Sequence, residues 1–212
     1  RVRSSAASDV YKRQNLSMSL VNALYNLQLM KIAGENGVAA YGAVMYVNFI
    51  FVATFLGYAI GCAPVISYHY GAGNHAELKN LYKKSMSIIL VWGVILFGAA
   101  QLLAPVLSKI FVGYNTGLYA MTLHGFRVYA IAFLIIGINI FGSSFFTALN
   151  NGLISAVISF LRTLVFQVIM VLTLPLWFGI NGIWSAISIA EALTLIMTTT
   201  FFVRQKDKYH YL

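Results

Sequence analysis

Six long apolar stretches run through the chain almost end to end, at Leu16–Ala33, Val38–Ser67, Ser85–Val112, His124–Leu149, Leu153–Phe178 and Gly182–Val203, joined by short polar segments. A helix needs about 20 mostly apolar residues to cross ~30 Å of hydrocarbon, and each stretch is close to that length or longer. Lipid offers the backbone no hydrogen-bond partner, so stretches of this kind must satisfy their own N–H and C=O groups as helices. The expected fold is therefore all-α and polytopic, with six transmembrane helices. Mean hydropathy of +0.80 agrees, as do 60% hydrophobic and 9% charged residues. Six crossings consume nearly all of the 212 residues. No separate domain is left to house an active site, so chemistry or transport must take place between helices.

The formal net charge of +9 comes from fourteen Lys and Arg residues that sit mostly at span ends. That distribution fits positive-inside topology and argues against nucleic acid as a partner. Cys62 is the single cysteine and lies inside an apolar span, where it reads as a small packing residue without a disulfide partner. Residues 1–14 are rich in Ser, Ala and charge and have no apolar core of a signal peptide. The string VRSSAASDVYKRQ resembles a translated adapter, so residues 1–14 are expected to be a non-native leader. Setting them aside removes four basic residues and one acidic residue, which leaves a charge of about +6. Residues 15–203 then form the membrane lobe and 204–212 a tail. With six spans both ends share a side. That side carries Lys79, Lys83, Lys84, Arg204, Lys206 and Lys208, against Lys31, Lys109 and Arg127 on the other, which predicts a cytoplasmic C-terminus.

His69, His75, His124 and His210 are too scattered for a metal site and have no ligand-spaced Cys or His partner. No phosphate-binding glycine loop, nucleophile elbow or paired carboxylates are visible, so an enzyme is not expected. The informative residues are polar groups inside the spans. Asn15, Ser19, Asn22 and Asn26 fall within a sector about 60° wide on the first helix. Asn139, Ser143, Thr147 and Asn150 repeat the arrangement on the fourth, near Gly137 and Gly142. The second span adds Tyr46, Asn48, Thr54 and Tyr58, with Gly57 and Gly61 spaced for close helix packing. Such stripes face protein or water, as interhelical hydrogen bonds or as the lining of a cavity.

Two charges lie well inside spans, Arg162 in the fifth and Glu191 in the sixth, and a charge in hydrocarbon costs several kcal/mol unless it is paired or hydrated. Either they pair with each other as a clasp or Arg162 snorkels toward the headgroups. Ser188, Thr194 and Thr198 share a face with Glu191, and Thr163 and Gln167 lie near Arg162. Pro64, Pro105 and Pro175 stand near span ends, where they are expected to terminate helices. Trp92, Trp177 and Trp184 are expected near the membrane interfaces, with Trp92 deeper. The many aromatic rings suit lipophilic cations and are equally ordinary against lipid.

Four segments carry a family resemblance. GYAIGCAPVISYHYGAGNHAELKNLYKKS at Gly57–Ser85, NALYNLQLMKIAGENGVAAYG at Asn22–Gly42, SSFFTALNNG at Ser143–Gly152 and GIWSAISIAE at Gly182–Glu191 resemble, in matching order, the multidrug and toxin extrusion (MATE) transporters, and most nearly their MepA-like bacterial branch. The resemblance covers nearly all of residues 15–208 and matches the C-terminal six-helix lobe of a twelve-helix MOP/MATE-type scaffold. It implies a partner lobe of six further helices, although a six-span chain that dimerises is also compatible with the sequence. It further implies cation-coupled (proton or sodium) efflux of lipophilic or cationic small molecules by alternating access, with no other cofactor, in a bacterial plasma membrane. NorM-like members carry carboxylates in the first and fourth spans of this lobe. Here Asn22, Asn26 and Asn139 stand in those spans, so that ion site does not carry over. Asn22, Asn26, Asn48, Asn139 and Ser143 are the candidates for a substrate cavity. Glu191, Arg162 and Gln167 are the candidates for ion coupling or a buried polar cluster. A lipid-linked sugar flippase of the same superfamily and a non-transporting membrane scaffold are the competing expectations.

Overall fold

In the computed structural model, which describes residues 19–212, the chain is a bundle of helices with one- to three-residue joints. The elements are α1 (Ser19–Gly71), α2 (His75–Val112), α3 (Thr116–Ala130), α4 (Phe133–Ala148), α5 (Gly152–Phe160), a π-helical turn (Leu161–Val165), α6 (Phe166–Phe178) and α7 (Ile180–Tyr209). The expected leader of residues 1–14 and the side chain of Asn15 lie outside the described residues.

Among the described residues, four helices are long and apolar enough to cross a membrane, or five when α3 and α4, bent by 47° at their break, count as one. The sixth crossing is hidden in α1. Gly34 has φ 62° and ψ −154°, a conformation close to glycine-only, and it folds α1 back on itself. A straight helix would hold Tyr25 and Tyr41 about 24 Å apart. Their rings instead stack with centroids 5.1 Å apart. Two arms, residues 19–33 and 35–71, therefore form spans one and two. α2, the α3–α4 pair, the α5–π–α6 run and α7 complete six.

The bundle alternates direction, and contacts at its two ends show it. At one end Tyr70 meets Tyr209 at 5.6 Å and His75 meets His210 at 5.0 Å. Asn151 Nδ2 donates to the Tyr209 hydroxyl there at 2.9 Å. At the other end His124 Nε2 and Asn181 Oδ1 lie 2.7 Å apart. The first end carries Lys79, Lys83, Lys84, Arg204, Lys206 and Lys208, all exposed.

The observed helices outrun the apolar stretches. α2 begins at His75 rather than Ser85, α3 at Thr116 rather than His124, and α7 continues to Tyr209 rather than stopping at Val203. Hydropathy reports immersion in hydrocarbon, whereas helical hydrogen bonding continues into the polar boundary zone. What was expected to be a tail is thus mostly the last turns of α7. Beyond it Tyr211 is fully buried against Tyr82, Phe145 and Phe202, and its hydroxyl donates to Phe202 O at 2.9 Å. Pro64, Pro105 and Pro175 lie inside the final turns of their helices and terminate none of them. Gly57 and Gly61 face open space and, among the described residues, pack no neighbouring helix. The close approach occurs at Gly137, where any Cβ would run into the Phe55 ring, and at Gly125, which lies under Trp184. Trp184 is consequently 1% exposed and belongs to the core rather than to an interfacial belt.

Candidate functional site

Spans four, five and six meet at one carboxylate. Glu191 on α7 is 1% exposed, and its Oε1 accepts from Arg162 Nε at 2.8 Å, with Oε2 at 3.1 Å from the same nitrogen. Asn139 on α4 donates from Nδ2 to Glu191 Oε2 at 2.7 Å and to the Glu191 backbone carbonyl at 3.0 Å. A carboxylate withdrawn from water needs this density of charge-assisted bonds, because an unpaired charge in a low-dielectric interior is strongly destabilising. Arg162 pairs inward and does not snorkel. The expected hydroxyl partners do not contribute: Thr194 donates to Ala190 O at 2.9 Å, and Ser188 and Thr198 have no partner among the described residues.

Arg162 sits in the π-helical turn Leu161–Val165 that interrupts the fifth span. A π turn inserts one residue into the helical register and re-aims the side chains around it, a distortion found most often at functional sites. Here it brings Arg162 onto α7 while Thr163 and Gln167 also turn to the same side.

That side is a half-open cavity of about 390 Å³. Its lining includes Asn22 and Tyr25 from the first arm, Tyr41, Met45, Asn48 and Phe49 from the second, Tyr129 from α3, and Arg162, Thr163, Gln167 and Glu191. The Tyr25 and Tyr41 rings are 9° from parallel and form one flat wall, and Tyr41 donates its hydroxyl to Asn22 Oδ1 at 3.4 Å. Two polar atoms on this lining are buried without a partner among the described residues, the Tyr25 hydroxyl and Asn48 Oδ1.

Of the residues singled out from sequence, Asn22, Asn48, Arg162, Gln167 and Glu191 line the cavity. Asn139 stands one layer behind it, fully buried, and holds Glu191. Asn26 and Ser143, also expected at a substrate cavity, are not part of this lining. The buried stripe of the first arm is Val21, Tyr25 and Leu29. Ser19, Asn22 and Asn26 lie beside that stripe and are exposed, so only Asn22 reaches the cavity rim. Ser143 turns toward α5 instead, 3.0 Å from Ser155 Oγ and 2.7 Å from Ser159 Oγ. Thr147 joins the same ladder, 2.6 Å from Ser155 Oγ. These hydroxyls fasten α4 to α5, the interhelical role small polar residues take in membranes. The tyrosines of the lining were missed, although Tyr25 follows Asn22 by three residues and so lies on nearly the same helix face.

The fold has close counterparts among solved structures. An inward-facing multidrug resistance MATE family transporter of the MOP superfamily superposes with a TM-score of 0.86 at 21% identity, over 92% of this chain and 46% of the other. An outward-facing structure of a multidrug resistance MATE family transporter gives 0.83 at 21% identity, over 92% and 44%. A MOP superfamily transporter from Pyrococcus furiosus, described as having a binding pocket of reverse polarity, gives 0.82 at 21% identity, over 91% and 43%. The chain thus spans less than half the length of each, in keeping with one six-helix lobe of that scaffold. No curated protein matches the sequence. The family model for MatE matches residues 13–173, and the chain belongs to that family.

Proposed function

We propose that the chain works as one lobe of a cation-coupled multidrug efflux antiporter that operates by alternating access, in a bacterial plasma membrane with its C-terminus cytoplasmic. The observation that carries this reading is Glu191, a carboxylate buried at the meeting point of three spans on the wall of a half-open cavity. Intramembrane carboxylates of this kind mark ion and proton pathways. The partner is a second six-helix lobe, in line with the share of the solved transporters that the chain covers, and the substrates are lipophilic or cationic small molecules seated against the tyrosine wall. The MepA-like assignment rests on the motif resemblance.

The coupling step follows from the bonds. With Glu191 ionised, Arg162 ties the π turn to α7 and Asn139 ties α4 to the same point. A proton or a sodium ion arriving at the carboxylate cancels the charge that holds Arg162 Nε. The tie between spans five and six then weakens, and the π turn supplies the irregular register at which the fifth span can rearrange. Binding of the cation and a change of helix packing become one event, as alternating access requires. Among the described residues Arg162 is the one basic residue on the cavity lining. A flippase for lipid-linked sugar phosphates needs several, so efflux of small molecules is the better reading. A scaffold subunit needs no cavity.

The test is dye accumulation in cells stripped of their own efflux pumps. Co-expression of the chain with the N-terminal lobe of a related transporter should lower accumulation of a lipophilic cationic dye, and collapse of the ion gradient should restore it. Glu191→Gln at equal membrane abundance should abolish the effect. Unchanged efflux by that variant would refute the coupling role.

A further inference from the structure

The cavity offers more hydrogen-bond donors than a site for a plain cation would need. Both contacts from Arg162 to Glu191 leave from Nε, at 2.8 and 3.1 Å. Among the described residues no hydrogen bond engages the terminal Nη1 and Nη2 groups, and Arg162 lines the cavity. That end of a guanidinium is a planar fork that takes a carboxylate through two parallel bonds. The Tyr25 hydroxyl, on a side chain 2% exposed, lines the same cavity with no partner of its own. Buried hydroxyls are nearly always bonded in native structures, so an unpartnered one on a cavity wall points to a ligand acceptor or a water. The Gln167 amide adds a further donor. Asn48, whose Oδ1 is also unpartnered, can present its NH2 by turning its amide over. Among the described residues Glu191 is the one carboxylate on the lining, and Arg162 and Asn139 already engage it.

We infer that this lobe carries a subsite for the acidic group of a planar aromatic compound, with the carboxylate on the Arg162 terminal nitrogens and the ring against the stacked Tyr25 and Tyr41. The inference rests on the cavity being the substrate site, as proposed above, and it narrows the lipophilic or cationic substrates to those that also carry an acidic group, aromatic zwitterions whose acidic end is seated here. The flat tyrosine wall favours a planar ring. A volume of about 390 Å³ accommodates two fused rings, being at the small end of the usual range for ligand sites.

The purified chain in lipid nanodiscs tests this with three probes of one shape: 1-naphthoate, 1-naphthylmethylammonium and the neutral 1-naphthylmethanol, titrated by equilibrium dialysis. Naphthoate should bind at least tenfold tighter than the ammonium probe. Arg162→Lys keeps the charge opposite Glu191 and removes the fork, and it should lose that tenfold preference. The R162Q/E191Q double substitution removes both charges together, and it should lose the preference as well while eluting and melting as a folded protein. Arg162→Lys decides the matter if the double variant fails to fold. Equal binding of naphthoate and the ammonium probe, or wild-type naphthoate affinity in Arg162→Lys, would overturn the acidic subsite and leave the cavity reading intact. Failure of the neutral alcohol to bind would overturn the cavity reading itself, and this inference with it.

Discussion

At Glu191 and Arg162 the two partners of one ion pair are unequal in their access to water. Glu191 is 1% exposed, whereas the Arg162 side chain is 17% exposed and borders the cavity. Losing Arg162 strands a carboxylate with only Asn139 for company. Losing Glu191 leaves a guanidinium that can swing its head into the cavity and be hydrated. Breaking a buried pair from one side costs about 3–5 kcal/mol. Arg162→Ala should therefore sit at the upper end of that range and Glu191→Ala below it, as read from thermal unfolding in detergent. The reverse order would mean that the cavity does not hydrate Arg162. Both charges were legible in the sequence because a charge inside an apolar run is conspicuous. So was Asn139, as a polar amide inside an apolar run. Tyr25, Tyr41 and Tyr129 were not, since an aromatic side chain looks alike whether it meets lipid, core or cavity, and only the packing of neighbouring helices decides.

Among elements, the turn at Gly34 and the π turn around Arg162 matter most, and they differ in how visible they were. The break between the first two apolar stretches includes Gly34, Glu35 and Gly37, so two separate spans could be read directly. In the structure the same break is a single residue at φ 62°, and a Cβ there would meet nothing within 4 Å. Gly34→Ala should then destabilise through backbone conformation alone, by about 1–3 kcal/mol, with no loss of packing. A thermal shift of that size, set beside a silent Gly61→Ala, whose backbone is helical and equally uncrowded, would separate the two causes. Equal effects at both positions would contradict the hairpin geometry. The π turn had no sequence signature, because one extra residue in the hydrogen-bond register changes neither composition nor hydropathy. Nor did the polar stripes announce which neighbour they face. Ser143 and Thr147 share a face with Asn139 in spacing, yet they serve the α4–α5 contact while Asn139 serves α7.

For the molecule as a whole, the six crossings, the alternation of direction and the gathering of basic residues at one end were all foreseeable from apolar length and charge placement. The interior arrangement was foreseeable only in part. The polar face of the first arm was expected to meet protein or water, and it stands beside the buried stripe, with Asn22 at the cavity rim and Ser19 and Asn26 exposed. Hydrophobic side chains such as Ile60 and Leu102 cover the outer surface at 69% and 80% exposure, which is the pattern of a bundle bathed in lipid. The central claim is that a cavity open to water lies between the two arms of α1 and the π turn. With Cys62 replaced by Ala, single cysteines at Asn48, Gln167, Ile60 and Leu102 can be treated in native membranes with a charged, membrane-impermeant thiol reagent. The account predicts rapid labelling at Asn48→Cys and Gln167→Cys and little at Ile60→Cys and Leu102→Cys; equal labelling at all four, or protection of the two cavity positions, would contradict it.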